Sequence, residues 1–294
     1  MESVLHISQK EKQKQVKYHF CLIRCDKNTI READFIEFLF QHIMEYALTY
    51  SELHPKKLAE KEIINWFKEN APRLVSKAKG AFLTKSTKTG ELGELFLFIA
   101  LESQGFIRLI NKMSIKTSPE LHFQGWDAVH IGVDDNKNIL FCYGSSKMHK
   151  DFSAALSEIF KEIEKFTKDN SKEKTEMSLI SSYIDSERFD KYSEEIPRLL
   201  SPYYRHKERV GKAHPIFLGY EWNFLQNPHV PEYGLLDSHL CNEYKKKQKD
   251  IMSKFNEKIS SLTLASNRDF LIWTLPFKDV GSIRSKFIEK LKEP

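Results

Sequence analysis

The stretch that decides the fold lies between Gly90 and Lys147 and reads GELGELFLFIALE (90–102), then GWDAVHIGV (125–133), then NILFCYGSSK (138–147). The first piece is apolar on nearly every side, which predicts a buried helix over 92–101. The other two are apolar runs of strand length around the polar turn 134–137, and they predict β-strands. An amphipathic helix is predicted over 152–166. This order of helix, strands and helix indicates an α/β core.

The chain carries further α/β signals on both sides of this core. Strands are predicted at 17–26, 214–222 and 268–277, and helices at 57–70, 243–258 and 280–291. Thr29 and Glu32 have the spacing of a capping box, which predicts that a helix opens there, and Pro72 is expected to stop the next helix. Ten of the sixteen residues in 161–176 are charged, which indicates a solvated linker. We therefore divide the chain into an N-terminal α/β region (1–88), a central core (89–170) and a C-terminal α/β region (171–294) packed with the core.

Composition describes a globular protein without a membrane segment or an export signal. The 294 residues are 40% hydrophobic and 30% charged, with a net charge of +5. No apolar run approaches the roughly 20 residues that span a bilayer. The charged N-terminus lacks the apolar core of a signal peptide, so we expect a cytoplasmic protein. Cys21 and Cys25 have C-x3-C spacing without a second Cys/His pair at zinc-finger spacing, which favours thiols in a reducing compartment.

Several polar side chains of the core can reach one site at the end of a strand. Side chains alternate along a strand, so Ser145 and Lys147 share a face. Asp127 lies on an otherwise apolar strand face, where a carboxylate requires a cation or a hydrogen-bond donor opposite it. Either a metal ion or Lys147 meets that requirement. Glu91 and Glu94 lie on one stripe of the buried helix.

These residue types suit magnesium-dependent phosphodiester chemistry. Mg²⁺ prefers hard oxygen ligands and needs only one or two carboxylates, which Asp127 and either Glu94 or Glu91 can supply. A neighbouring lysine stabilises negative charge on the phosphate. Each residue also has an ordinary interpretation: acids are favourable in the first turn of a helix, Asp127 can cap backbone amides, and Lys147 can lie solvated at a strand end. The order of the residues favours the joint site.

With KMSIKTSP (112–119), GWDAVHI (125–131) and YGSSK (143–147), the segment 89–147 resembles the HamA family. HamA proteins are the nuclease-like subunits of Hachiman anti-phage defence systems, in the PD-(D/E)xK phosphodiesterase superfamily. The resemblance implies a PD-(D/E)xK core of helix, three-stranded mixed sheet and helix. It also implies a cytoplasmic DNA endonuclease or nickase that uses Mg²⁺ or Mn²⁺ and works with a superfamily 2 helicase, HamB. The alternative is a non-catalytic DNA-binding subunit that regulates the helicase.

The resemblance assigns Glu94 and Asp127 to the metal, with Glu91 as a further ligand, and Lys147 to the transition state. Further cations are candidates to contact the DNA backbone, although a solvated surface is the ordinary interpretation of such residues. They are Lys77, Lys79, Lys85, Lys88, Lys112, Lys116 and His149. No membrane partner is implied.

Ser145 departs from the family pattern. The motif places an acid two residues before the lysine, usually as GESK, whereas this chain has GSSK. A serine hydroxyl is a neutral, weak magnesium ligand, so the site lacks one negative charge. Three explanations stay open: a substitution that captures an inactive form, recruitment of a carboxylate such as Glu91 or Glu120, or loss of cleavage in this homologue.

Overall fold

The computed structural model describes residues 1–12, 15–55, 60–83, 90–111, 113, 126–133, 139–168, 210–226, 228, 236–262 and 268–293. The strands are β1 (Leu5–Lys12), β2 (Val16–Ile23), β3 (Cys25–Asp26), β4 (Thr29–Ile30), β5 (Ile107–Arg108), β6 (Ala128–Val133), β7 (Ile139–His149), β8 (Val210–Glu221) and β9 (Asp269–Phe277). The helices are α1 (Glu32–Gln41), α2 (Ile43–Ala47), α3 (Tyr50–Leu53), α4 (Glu60–Leu83), α5 (Glu91–Glu102), α6 (Phe152–Lys168), α7 (Leu236–Ser261) and α8 (Val280–Lys292), with a 3-10 turn at Asn223–Leu225.

Seven strands form one mixed sheet in the order β1-β2-β9-β8-β7-β6-β5. The four central strands, β2, β9, β8 and β7, are parallel, and antiparallel strands continue the sheet at both edges. β8 and β9 are almost entirely buried, as expected for parallel strands covered by helices on both faces. β3 and β4 form a separate two-stranded hairpin.

Two apolar cores lie on opposite faces of the sheet. The first packs α1, α2, α4, α5 and α8 against one face. The second packs α6 and α7 against the other face. Alternation along β7 shows the division directly, because Leu140 and Cys142 belong to the first core, and Phe141 and Tyr143 belong to the second.

Most elements of the sequence-based prediction are confirmed. The buried helix is α5, in which every residue from Glu91 to Leu101 except Glu94 is buried. The amphipathic helix is α6, and the two C-terminal strands are β8 and β9. The fold is therefore α/β with a mixed sheet. The sheet combines strands from all three predicted regions, and the proposed region boundaries stay predictions.

Two boundary predictions were wrong because tertiary structure overrides local signals. Thr29 does not cap a helix, since it pairs with Asp26 in the β3–β4 hairpin and α1 begins at Glu32. Pro72 does not stop α4, which runs to Leu83 and continues a buried stripe through Leu74, Ala78 and Phe82. The first part of the predicted basic connection 76–89 is consequently helical, and 84–89 lies outside the described residues.

No helix within the described ranges is both long enough and apolar enough to cross a membrane. The predicted turn 134–137 and the linker beyond residue 168 also lie outside those ranges.

Candidate functional site

The candidate site lies where β6 stops pairing with β7. The last antiparallel pair is Ala128 with Gly144, while β7 continues beside β8 to His149. Continued by one residue, the same register sets Asp127 opposite Ser145. Ser145 and Lys147 follow Phe141 and Tyr143 on the face of the second core. The sequence-based prediction that the residues at 145 and 147 share a face is thus confirmed by the alternation of β7.

Asp127 caps a backbone amide, which is the ordinary interpretation that the sequence left open for it, and the donor is Ser146. Its Oδ2 accepts from the Ser146 backbone amide at 2.7 Å and from the Ser146 hydroxyl at 3.2 Å. The carboxylate therefore replaces the backbone acceptor that β6 no longer offers to β7. The expected partners, a metal ion or Lys147, are not needed to satisfy this oxygen.

Lys147 forms an ion pair across the second core face. Its Nζ lies 2.8 Å from Oε1 of Glu162 on α6, and the Lys147 side chain is 27% exposed. Burial acts to lower the pKa of Lys147. The hydrogen bond to Glu162 and the charges of Asp127, Glu162 and Glu158 outweigh it and raise that pKa. Lys147 is therefore a protonated cation within the field of Asp127.

The two glutamates of α5 lie on the first core face, and Glu94 contacts the hydroxyl of Tyr46. This hydroxyl donates to Glu94 Oε2 at 3.0 Å. The Glu91 side chain is buried at the start of the helix, with 4% exposure. Burial, the charge and hydrogen bond of Glu94, and then the charges of Glu91 and Asp127 raise the pKa of Tyr46 well above its ordinary value. All three carboxylates therefore act on one buried hydroxyl group, which stays protonated as a donor.

Buried polar contacts fix the position of Tyr46. Arg108 donates to the Tyr46 carbonyl at 2.6 Å and to the Leu48 carbonyl at 3.1 Å, and Asn111 donates to the Leu48 carbonyl at 2.6 Å. These bonds satisfy carbonyls at the C-terminal end of α2, which the helix itself leaves without a partner. Tyr46, Arg108, Asn111 and Asp127 also line one narrow cleft.

The glutamates and Lys147 lie on opposite faces of β7. Gly93 of α5 lies over Ser146, since a Cβ at Gly93 would stand 3.4 Å from the Ser146 hydroxyl oxygen. Lys147, the next residue, contacts α6 instead. Asp127 lies at the strand end between the two faces and acts electrostatically on both Tyr46 and Lys147. The sequence predicts one joint site for Glu91, Glu94, Asp127 and Lys147. In the structure, the glutamates and Lys147 lie on opposite faces of β7, and the charge of Asp127 acts on both faces.

The donor types fit a hard divalent cation, although the three carboxylates are not compact. Among the described residues, the one group of three potential metal ligands whose atoms lie within 4.8 Å of one another is His6, Asp237 and Cys241. Glu91, Glu94 and Asp127 are more widely spaced. Mg²⁺ needs only one or two carboxylates and retains several waters. The carboxylate oxygens of Asp127 and Glu94 are the kind of donor that such an ion takes.

The predicted DNA contacts are only partly described. Lys85, Lys88, Lys112 and Lys116, with Glu120, lie outside the described residues. His149 ends β7, and its Nδ1 accepts from the Asp151 amide at 2.9 Å. Lys77 pairs with Glu52, and Lys79 donates to the Glu293 carbonyl at 2.6 Å. These two lysines therefore have partners within the fold, and their role at DNA stays a prediction.

Sequence reasoning missed three residues of the site. They are Tyr46, Arg108 and Glu162. A buried tyrosine needs a partner for its hydroxyl, and a charged residue within an apolar run such as FIRLI (106–110) needs one too. Those two signals mark Tyr46 and Arg108. No local pattern marks Glu162 as the partner of Lys147.

Fold and site together define the class: an α/β protein with a mixed seven-stranded sheet and an acidic cluster where an antiparallel strand ends beside a parallel one. Comparison with known families shows that the HamA family model matches residues 2–291. The chain belongs to the HamA family and is a component of Hachiman defence. Comparison with curated proteins finds no match. The family match extends the resemblance noted for 89–147 to essentially the whole chain.

Proposed function

We propose that this chain is a metal-dependent DNA endonuclease or nickase of the PD-(D/E)xK type that acts with a superfamily 2 helicase. One observation carries the proposal: Asp127, position 145 and Lys147 lie on adjoining strands at the point where β6 leaves β7. This is the order and spacing of the PD-(D/E)xK motif. Membership of the HamA family supports it independently.

Each residue has a separate task in the proposed reaction. Asp127 and Glu94 would hold Mg²⁺ or Mn²⁺, and Glu91 would add negative charge. When bound there, the ion would supply polarisation of the phosphoryl group and a lower pKa for an attacking water. Tyr46 fixes the Glu94 carboxylate through its hydrogen bond. These residues would therefore position the metal ion next to the scissile phosphate.

Lys147 stabilises the negative charge that develops on phosphorus. In the absence of DNA its ammonium group is paired with Glu162. A DNA phosphate replaces Glu162 as its partner, so the ion pair holds the lysine protonated and oriented until substrate arrives. Ser145 lowers the charge available to the metal, which weakens this site relative to one with an acid at that position.

The test is nicking of supercoiled plasmid by the full-length protein in Mg²⁺, alone and with the helicase. We expect the double variant Asp127→Ala/Lys147→Ala to reduce nicking to background. The control Asp250→Ala/Lys254→Ala removes another acid–lysine pair, at 3.2 Å on α7, and should retain activity. Unchanged nicking by the Asp127/Lys147 variant would refute the assignment.

A second candidate function is a non-catalytic DNA-binding subunit that regulates the helicase. It is favoured by the neutral, buried Ser145, which is 2% exposed, and by the occupied ion pair of Lys147. Calorimetry and nicking distinguish the candidates. Absence of Mg²⁺ binding, together with background cleavage by Ser145→Glu, would favour the regulatory subunit.

The helicase partnership rests on the family alone. Co-expression of this chain with a superfamily 2 helicase of the HamB type should give a complex that survives affinity purification and gel filtration. If the helicase never co-purifies, the partnership is wrong while the nuclease proposal can still be tested on the isolated chain.

A further inference from the structure

Three potential zinc ligands meet where β1 and the start of α7 come together. His6 Nε2 lies 2.6 Å from Asp237 Oδ2. The ligand atoms of His6, Asp237 and Cys241 all lie within 4.8 Å of one another. Cys25 of the β3–β4 hairpin lies beside them, since its backbone amide donates to Asp237 Oδ1 at 2.7 Å. We call these four residues the His6 cluster.

The His6 cluster has the composition of a zinc site. Zinc in proteins takes cysteine sulfur, histidine nitrogen and carboxylate oxygen, usually four ligands in a tetrahedron. All four side chains are half-buried, so an ion can reach them from solvent and still be partly shielded. Asp237 and Cys241 are separated by one turn of α7, which puts both ligands on one face of the helix.

The charges around the cluster also suit a bound cation. A carboxylate and two thiols gathered together repel one another's anionic forms. A divalent cation removes that repulsion and deprotonates a coordinating thiol.

We propose that His6, Asp237 and Cys241 bind one Zn²⁺ ion, with the Cys25 thiol as the fourth ligand. Binding forms two Zn–S bonds and releases two thiol protons to solvent, with no change of oxidation state. The ion ties the first strand of the sheet and the β3–β4 hairpin to the start of α7, residues that are more than 200 positions apart. Its role is structural and does not depend on the proposed nuclease activity.

The site could not be recognised from the sequence, because its ligands come from segments that are far apart along the chain. The C-x3-C spacing joins Cys25 to Cys21, but Cys21 is buried in the first core, away from the cluster. Cys25 packs instead against the second core, as does Cys241 of α7.

The experiment measures metal in the full-length protein as purified and its spectrum after cobalt substitution. We expect about one zinc ion per chain by inductively coupled plasma mass spectrometry. The Co²⁺ form should show thiolate-to-cobalt charge transfer and the strong visible bands of a tetrahedral site. Removal of zinc by a chelator should lower the melting temperature, and added Zn²⁺ should restore it.

Variants identify the ligands. Cys241→Ser and His6→Gln should each weaken Co²⁺ binding more than about 100-fold, beyond the loss typical of residues that only support a ligand. Cys25→Ser should weaken it and remove part of the charge-transfer absorption. The control His239→Ala alters a histidine of the same helix that contacts Phe224 instead, and should bind normally.

Two results would overturn the inference. One is a folded wild-type protein without zinc that shows no thiolate–cobalt band at saturating Co²⁺. The other is a Cys241→Ser variant, folded by circular dichroism, that binds Co²⁺ as tightly as the wild type. The wild-type titration is decisive even if a variant fails to fold.

Discussion

On the face of β7 that packs against α5, Glu94 accepts a hydrogen bond from the hydroxyl of Tyr46, and the charge of Glu91 acts on the same hydroxyl. On the opposite face, Lys147 is neutralised by Glu162, and Ser145 contributes no charge. We call the first of these the acidic face and the second the basic face. Among the described residues, Asp127 acts electrostatically on both faces.

Because the two faces differ in charge, the residues at positions 127 and 145 have a large effect on the electrostatics of the site. Asp127 acts on Tyr46 from one side and on Lys147 from the other. An acid at position 145 would lie beside Asp127 and extend the negative charge onto the face of Lys147. With serine there, the glutamates of α5 stay on the face opposite Lys147, and Asp127 links the two faces. The residue at position 145 therefore sets how strongly the two faces act together.

The largest effect is expected for Ser145→Glu, which joins the two faces. The new carboxylate would lie within about 5 Å of Asp127 across the strands and complete the metal ligands. We expect Mg²⁺-dependent nicking to rise by about 100-fold, because a well-held metal ion contributes several kcal/mol to the transition state. Calorimetry should show tighter Mg²⁺ binding alongside the gain in nicking.

The matched control is Ser145→Gln, which adds a similar volume without charge. Without Mg²⁺, Ser145→Glu should melt at a lower temperature than the control, because two neighbouring carboxylates repel each other. Added Mg²⁺ should raise the melting temperature of Ser145→Glu towards that of the control and should leave the control unchanged. Equal behaviour of the two variants would show that position 145 does not belong to a metal site.

A smaller effect is expected for Tyr46→Phe, which disrupts the acidic face. The change removes the hydroxyl that donates to Glu94 while preserving the packing of the ring against Phe82 and Phe98. Hydrogen bonds to charged groups stabilise proteins by about 1.5–3 kcal/mol. Glu94 is only half-buried, so we expect a loss near about 1.5 kcal/mol in the free energy of unfolding, measured by urea denaturation.

The same change in a Glu94→Gln background isolates the hydrogen bond. There the acceptor is neutral, so Tyr46→Phe should cost about 1 kcal/mol or less. An equal loss in both backgrounds would mean that the hydroxyl does not stabilise the fold through the charge of Glu94.

The elements around this site could be predicted from sequence because their signals are local. The all-round apolar character of α5 and the alternation of β7 follow from a few consecutive residues. The order of Asp127, Ser145 and Lys147 is likewise a local pattern. The family resemblance joined these pieces into one hypothesis.

The division of the site between two faces could not be predicted, because it depends on contacts between distant segments. Tyr46 reaches Glu94 across 48 residues, and Arg108 fixes Tyr46 across 62. Glu162 is one of several acids on α6, and only the docking of that helix selects it for Lys147. Periodicity assigns a side chain to a face but does not identify the residue opposite it.

The smallest effect is expected for Glu162→Gln, which removes the balancing charge from the basic face. Both side chains are partly exposed, so we expect a loss of about 0.5 kcal/mol in the free energy of unfolding near pH 8. The raised pKa of Lys147 gives the sign of the pH dependence. The pair stabilises the fold fully below the unfolded lysine pKa of about 10.4, and this contribution disappears as pH rises through the higher folded pKa.

The control Glu164→Gln breaks a pair on the same helix, since Glu164 lies 2.6 Å from Lys168 and both are more exposed than Lys147. Urea denaturation of both variants and the wild type between pH 8 and pH 11 tests the comparison. The difference in the free energy of unfolding between wild type and Glu162→Gln should shrink above about pH 10.4. Below that pH, the control should have nearly the same free energy of unfolding as the wild type. A difference that persists unchanged to pH 11 would show that Glu162 stabilises α6 without acting on Lys147. The basic face would then hold an unbalanced cation, and the contrast with the acidic face would be lost.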